Sequence, residues 1–442
     1  MSSLPDALKR LSLGDALIRR NPFFYRGARR RLAAMPPGEV DQRLKKVLLA
    51  AQRTPYGRRV GGGADLGSWP LLEKAALRAE PGAFRTGGLT LAARGSTGGT
   101  TGLPLRLTRS LPSLVFEQAT LDSLLAGLGV DARRARIAVL RADSIKDPAD
   151  RSPPFWVRTH GGRRLVMSPH HLSAETVAAY AGALREFRPD VLWAYPTALE
   201  SLCRLVLAAG LDLAVPRVHA ASEGLAPAAW QLARRALGNP AIAENYGQAE
   251  RVAFAIAYQP GVYRFLPAYS KVELLPFAAD GEERLYEIVG TSLWNLAMPL
   301  VRYRTGDLLR LPAAWGEREV QEVASGARPF PGVLGRSGEF LLTPEGVRIT
   351  GINHFPREVE HVQRIQVIQE RLDEVRLLVL ADAGFGPRDQ QRLLGNVRAK
   401  LPPSMRVAIE LSERLEQTPG GKTPFVIHRP AVRRQLELAK AA

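Results

Sequence analysis

Residues that could cradle a phosphate stand together at Ser96-Thr97-Gly98-Gly99-Thr100-Thr101-Gly102-Leu103-Pro104, a stretch with four hydroxyls, three glycines and no acid. Glycine admits positive φ and close backbone approach. Successive N–H groups and hydroxyls can then surround an anion. The stretch is not a Walker loop, which ends in Gly-Lys-Ser/Thr, because Leu103 follows Gly102. The same residue types also build polar surface turns. Composition alone therefore leaves both readings open.

Four further segments follow in order: Asn245-Tyr246-Gly247-Gln248-Ala249-Glu250, Tyr303-Arg304-Thr305-Gly306-Asp307, Gly335-Arg336-Ser337-Gly338-Glu339 and Thr418-Pro419-Gly420-Gly421-Lys422. With the first they resemble the motifs of the adenylate-forming enzymes: acyl-CoA synthetases, peptide-synthetase adenylation domains and luciferases. Five ordered motifs between positions 96 and 422 cover most of the chain. The run Pro299-Leu300-Val301-Arg302 leading into Tyr303, the modest length, and Trp193-Ala194-Tyr195-Pro196 resemble the phenylacetate-CoA ligase and capsule-biosynthesis branch.

The resemblance implies a two-step reaction. A carboxylate attacks the α-phosphorus of ATP in line, giving acyl-AMP and pyrophosphate, and the acyl group then passes to an acceptor. Ser96, Thr97, Gly98, Gly99, Thr100, Thr101 and Gly102 would hold the phosphates, although Leu103 stands where the family commonly has lysine. Glu250 would ligate Mg²⁺, which takes one or two carboxylates plus phosphate oxygens. Asn245, Tyr246 and Gly247 would border the adenine, with Ser222-Glu223-Gly224 as the adenine-contacting turn. Asp307 would accept from both ribose hydroxyls, since an ionised carboxylate is acceptor-only. Arg336 would lie near the ribose or phosphates. Lys422, one of nine lysines, would bridge the carboxylate and α-phosphate as a point charge on a flexible arm. Trp193, Tyr195, Pro196, Ala220, Ala221 and Gly247 would line the acyl pocket, whose aromatic content suggests a flat or apolar acid. Glu339 replaces the usual hinge aspartate. The cofactors implied are ATP and Mg²⁺. The acceptor is by default the thiol of CoA, with a carrier-protein thiol or an amine chemically equivalent.

Each residue also has a plainer reading. Ser222 suits a helix N-cap and Asp307 a turn after Gly306. Glu250 suits a solvated helix start, Tyr246 core packing and Lys422 an exposed loop.

Elements that would position these groups can be read from periodicity. Residues 1 to about 90 read as helical, with Val40, Leu44, Val47 and Leu48 at helical spacing. Strands at 135–140, 191–194 and 218–221 alternate with helices at 176–187, 199–209 and 227–236, which argues for parallel α/β layers. Segments 271–275, 284–289 and 307–310 read as antiparallel pieces. Beyond Arg336, strands at 340–342, 347–349 and 375–380 and helices at 356–369 and 389–401 predict a small α+β unit. The fold class expected is α/β, α+β at the C-terminus. It comprises a large N-terminal domain of layered α/β subdomains, 1–335, and a small mobile C-terminal domain, 336–442, hinged near 336–339 at Glu339.

Composition narrows the function classes. The 442 residues suit two or three domains at a rough prior of one per ~150. A formal charge of +18 rests mainly on dispersed arginine. A nucleic-acid protein would concentrate such charge on one face, so no specific nucleic-acid partner is expected, while anionic substrates benefit from positive potential. A single cysteine, Cys203, excludes an intramolecular disulfide and a cysteine-cluster zinc site. No run of eighteen apolar residues and no apolar signal core exist, so a cytoplasmic enzyme without a membrane span is expected, with a homodimer open. His170 and His171 are adjacent and do not face one site. No Gly-x-Ser-x-Gly elbow supports a hydrolase. The rivals from other classes are a catalytically silent nucleotide-binding protein, for which Leu103 and Glu339 speak, and a basic RNA-binding protein.

Overall fold

The computed structural model describes residues 24–36, 38–87, 92–96, 105–141, 152–280, 282–336, 340–344, 359–398, 401–417 and 423–441, with isolated positions between. A two-stranded hairpin comes first: β1 (Ala92–Ser96) pairs antiparallel with β2 (Arg106–Ser110), Ser96 opposite Arg106. The helix Leu111–Gly127 follows directly.

Eight strands then form one sheet: β3 (Ile137–Leu140), β4 (Trp156–Thr159), β5 (Arg164–Met167), β6 (Val191–Ala194), β7 (Arg217–Ala221), β8 (Ala241–Gly247), β9 (Phe254–Ala257) and β10 (Tyr263–Phe265). Their order is β10-β9-β8-β7-β6-β3-β5-β4. The centre is parallel and both edges are antiparallel. The central strands are short and apolar because both faces are covered. One face, with Ala138, Leu140, Leu192, Ala194, Val218, Ala220 and Ile242, packs under the helices Val177–Phe187, Pro196–Ala208 and Pro227–Ala236. The other, with Ile137, Val139, Val191 and Ala243, packs against Leu124, Leu125 and Leu128 around the end of the helix Leu111–Gly127. Cys203 lies fully buried in the first of these cores, and burial raises its thiol to about 12.

A second sheet carries β11 (Ser270–Asp280), β12 (Glu283–Ser292) and β13 (Tyr303–Pro312), all antiparallel. The helix Glu317–Ala324 packs its Val320, Val323 and Ala324 against Val272, Tyr286 and Ile288. Contacts divide the chain into two units, Met1–Val333 and Leu334–Ala442, the boundary falling within β14 (Val333–Arg336).

The second unit contains β15 (Leu341–Leu342), β16 (Arg348–Ile349), β17 (Val362–Arg371), β18 (Glu374–Ala381), β19 (Arg406–Leu411) and β20 (Val426–His428). Four of them form a sheet of order β19-β18-β17-β20, carrying the helices Pro387–Arg398 and Pro430–Ala441. One expectation is corrected here. The segment 356–369 is not a helix but contributes most of β17, paired with β18 and β20. Val362, Ile365 and Ile368 mimic helical spacing, yet β-branched residues fit a pleated ladder better. Ile365, Val367 and Ile368 are buried on both sides of the strand.

Candidate active site

Asp307 owes its position to a local irregularity in β13. Across the ladder Val289 faces Arg304, whereas Glu287 faces Leu308, so the stretch Thr305-Gly306-Asp307 bulges out of register. Gly306 adopts φ +72°, the left-handed conformation that glycine takes without penalty. Thr305 Oγ1 donates to Ile288 O at 2.7 Å and accepts from Asp307 N at 3.0 Å. Bulges commonly re-aim a side chain beside an active site; here the carboxylate of Asp307, 8% exposed, is turned toward Tyr246.

Tyrosines link the two central motifs crosswise. Tyr246 at the end of β8 donates its hydroxyl to Asp307 Oδ2 at 2.7 Å. Tyr303 at the start of β13 donates to Glu250 Oε1 at 2.9 Å. Burial, then the neighbouring Asp307 charge, holds the Tyr246 phenol well above its ordinary pKa, so it stays a donor. Gln248 Nε2 donates a hydrogen bond to the Tyr246 oxygen. A hydrogen bond to a charged group contributes about 1.5–3 kcal/mol, enough for each link to fix its carboxylate.

Glu250 is 6% exposed. Its Oε1 also lies 3.5 Å from Lys74 Nζ. The helix carrying Lys74 is joined to β13 through Leu72, whose N–H donates to Arg302 O at 2.9 Å and whose carbonyl accepts from Arg304 N at 3.0 Å. Gly290 of β12 admits the chain that follows Glu250: a Cβ there would sit 2.1 Å from Val252 O. Among the described residues no cluster of three or more His, Cys, Asp or Glu could hold a metal alone. Glu250 offers one hard-oxygen carboxylate, which fits an Mg²⁺ arriving with phosphate oxygens rather than a protein-only cage.

Ser96 ends β1, and Thr97 to Pro104, including Gly98, Gly99, Thr100, Thr101 and Gly102, lie outside the described residues. The hairpin base is tied down. Ser110 N donates to Asn295 Oδ1 at 3.0 Å and Asn295 Nδ2 to Thr108 O at 2.8 Å. Arg109 crosses from β2 to donate to Ala249 O at 2.9 Å, beside Glu250.

The turn Ser222-Glu223-Gly224 follows β7 directly. Ser222 takes φ +77°, a conformation rare for non-glycine residues and concentrated at functional sites. The plainer N-cap role does not hold, because the next helix begins at Pro227 with Ala226 as its cap. The turn is pinned by Glu244, whose Oε1 accepts from Leu225 N at 2.8 Å. Burial raises the Glu244 carboxyl to about 7.

The expected acyl-pocket residues divide between the sheet faces. Trp193 follows the alternation of Val191 and packs with the core that holds Val139 and Ala243. Ala220 instead lies in the helix-covered core with Leu140 and Ala194, so it does not share a face with Trp193. Ala221 pairs with Asn245 at the strand ends, and Gly247 lies against Phe254. Tyr195 caps the helix that Pro196 begins. Between them stands His219, stacked on Trp193 and 2.7 Å from Asn245 Oδ1.

In the second unit Arg336 ends β14, while Glu339 and Lys422 lie outside the described residues. The chain on either side of Lys422 is held by Gln366, a fully buried β17 residue. Its amide nitrogen donates to Glu416 O at 2.9 Å and Pro424 O at 2.8 Å, and its oxygen accepts from Glu416 N at 2.8 Å. Sequence reasoning missed Lys74, His219, Glu244 and Gln366. Only Lys74 left a signal, as a rare lysine in an arginine-rich chain.

Residues 341–429 match the family of CapK C-terminal domains. Over 342 residues the chain is 22% identical to Protein CapK of Staphylococcus aureus, covering 75% of this chain and 73% of that one. It is 28% identical over 227 residues to a phenylacetate-coenzyme A ligase of Pseudomonas putida, covering 48% and 47%. Its fold is shared with a 2-hydroxyisobutyryl-CoA ligase crystallised in the postadenylation state with 2-HIB-AMP, at TM-score 0.61, 16% identity and coverage of 93% and 94%.

Proposed function

We propose that this chain is an AMP-forming ligase of the adenylate-forming superfamily that activates a small carboxylic acid as its acyl-AMP and then transfers the acyl group to an acceptor. The observation that carries this reading is the pairing of two carboxylates at adjoining strand ends, Asp307 on Tyr246 and Glu250 on Tyr303. Each accepts a hydrogen bond from a tyrosine hydroxyl. Asp307 takes the ribose hydroxyls, and Glu250 supplies one ligand to Mg²⁺ when the ion arrives on ATP. Bound Mg²⁺ neutralises charge on the phosphates.

In the first step a carboxylate oxygen of the acid forms a bond to the α-phosphorus, and pyrophosphate leaves with the electron pair of the broken P–O bond. Lys422 neutralises the oxygens that gain charge. In the second step an acceptor nucleophile attacks the acyl carbon, loses its proton, and AMP departs. CoA is the default acceptor because relatives include CoA ligases; a carrier-protein thiol or an amine would use the same chemistry. Relocation of the second unit about Glu339 separates the two steps.

The test is acid-dependent exchange of labelled pyrophosphate into ATP, screened over carboxylic acids without any acceptor. We expect exchange with a subset of acids, abolished by chelating Mg²⁺. Exchange with none, alongside unchanged thermal stability on adding ATP, would overturn the reading.

A further inference from the structure

Arg141, Trp193, His219 and Asn245 gather at or near the carboxyl ends of four neighbouring parallel strands, β3, β6, β7 and β8. In open α/β sheets ligands bind outside those ends. Trp193 lies in register with Val139 on one side and His219 on the other. Both faces of its indole are covered. The Arg141 guanidinium carbon stands 4.3 Å from the ring centroid on the β3 side. The imidazole of His219 stacks at 5.2 Å and 16° on the β7 side.

The indole edge is polar. Trp193 Nε1 is buried and meets no acceptor among the described residues. Buried N–H groups without partners are rare in native structures, and each calls for an explanation such as a missing ligand. His219 is no acceptor for it: its ring lies parallel to the indole, and its Nε2 is engaged by Asn245 Oδ1 at 2.7 Å. That bond occupies the amide oxygen of Asn245 and leaves its nitrogen as a donor. The strand ends thus present an indole N–H and an amide nitrogen as donors.

We propose that the acid activated by this chain carries a hydrogen-bond acceptor on its acyl group, and that the indole N–H of Trp193 recognises it. The proposal rests on the reading of this site as one that forms acyl-adenylates. It predicts selection against plain hydrocarbon acids. Such an acid would leave the N–H buried and unpaired, and a site built to hydrogen-bond a substrate group rejects analogues that lack it.

The test uses acyl-sulfamoyl-adenosines, stable mimics of acyl-AMP, in which one carbonyl oxygen is moved along a chain of fixed length, compared with the plain alkanoyl member. Binding is measured by calorimetry on the whole chain. The expected result is that one oxo member binds about tenfold more tightly than the alkanoyl member. In Trp193→Phe that preference should shrink to about twofold. Equal binding of oxo and alkanoyl members by the unaltered protein would overturn the proposal while leaving acyl-adenylate formation standing. So would a preference unchanged in a folded Trp193→Phe. Failure of every member to bind would instead overturn the proposed function, and this inference with it. The comparison on the unaltered protein decides the matter even where the variant does not fold.

Discussion

At the scale of single residues, the site depends on two carboxylates and the phenols that hold them. Removing the Asp307 carboxylate takes away the acceptor of the Tyr246 hydroxyl and, in the proposed role, would leave two ribose hydroxyls without one. Asp307→Ala should weaken ATP and AMP binding by about 1.5–3 kcal/mol, the value of a charged hydrogen bond, and affect the acid less. Calorimetry showing unchanged nucleotide affinity would remove Asp307 from the ribose site. Glu250→Gln keeps the bond from Tyr303 but loses the charge that attracts Mg²⁺. Its activity should need several-fold more Mg²⁺, about tenfold by the same reasoning. A magnesium titration superimposable on the unaltered enzyme would contradict that role. The sequence singles out both carboxylates through motifs that resemble those of a known family. Their tethers were not legible, since Tyr246–Asp307 and Tyr303–Glu250 are contacts 61 and 53 positions apart. Nothing local in a sequence marks such pairs.

Among elements, the parallel strands near 137, 191 and 218 were readable from short apolar runs between helices, and β6 falls on residues 191–194 as expected. The bulge at Thr305-Gly306-Asp307 was not readable, because a Gly-Asp pair reads equally as a turn. β17 was misread because apolar spacing alone does not separate a helix from a strand buried on both sides. Gln366 and Gln369 are polar residues of this strand, yet both are buried and bonded to backbone. Glu244 is a similar case on β8, and it makes a pH prediction. Its carboxyl is raised from 4.5 to about 7 by burial. The folded state thus holds a proton that the unfolded state releases, and stability falls as pH rises through that window. His219 acts in the opposite sense. Burial lowers it from 6.5 to about 4, so stability rises between those values as the unfolded imidazole loses its proton. The two slopes oppose each other between about 4.5 and 6.5. Glu244→Gln should therefore show a steeper rise of melting temperature with pH in this range, and no decline between 6.5 and 7. Melting profiles of identical shape would contradict the assignment.

For the whole molecule, the groups proposed to bind nucleotide and the lysine proposed to be catalytic fall in different units. Glu250 and Asp307 belong to Met1–Val333, and Lys422 to Leu334–Ala442. Lys422→Ala should accordingly spare ATP binding and the melting transition while lowering pyrophosphate exchange by ~10²–10³, the usual cost of one preorganised charge. Loss of binding and exchange in equal measure would contradict this division of labour. The formal charge of +18 comes mainly from arginine spread along the chain, and many of those arginines form ion pairs such as Arg376 with Glu370 and Arg429 with Glu416. No helix among the described residues is long and apolar enough to cross a membrane.

The central claim is that a carboxylate oxygen of the substrate attacks the α-phosphorus of ATP. The direct measurement supplies an acid labelled with ¹⁸O in both carboxylate oxygens, drives a full turnover with an acceptor, and weighs the AMP released. If an acyl-AMP forms, the oxygen that joined acid to phosphorus leaves with the phosphate, so the AMP carries one ¹⁸O. AMP without label, or ADP and inorganic phosphate in place of AMP and pyrophosphate, would contradict the account.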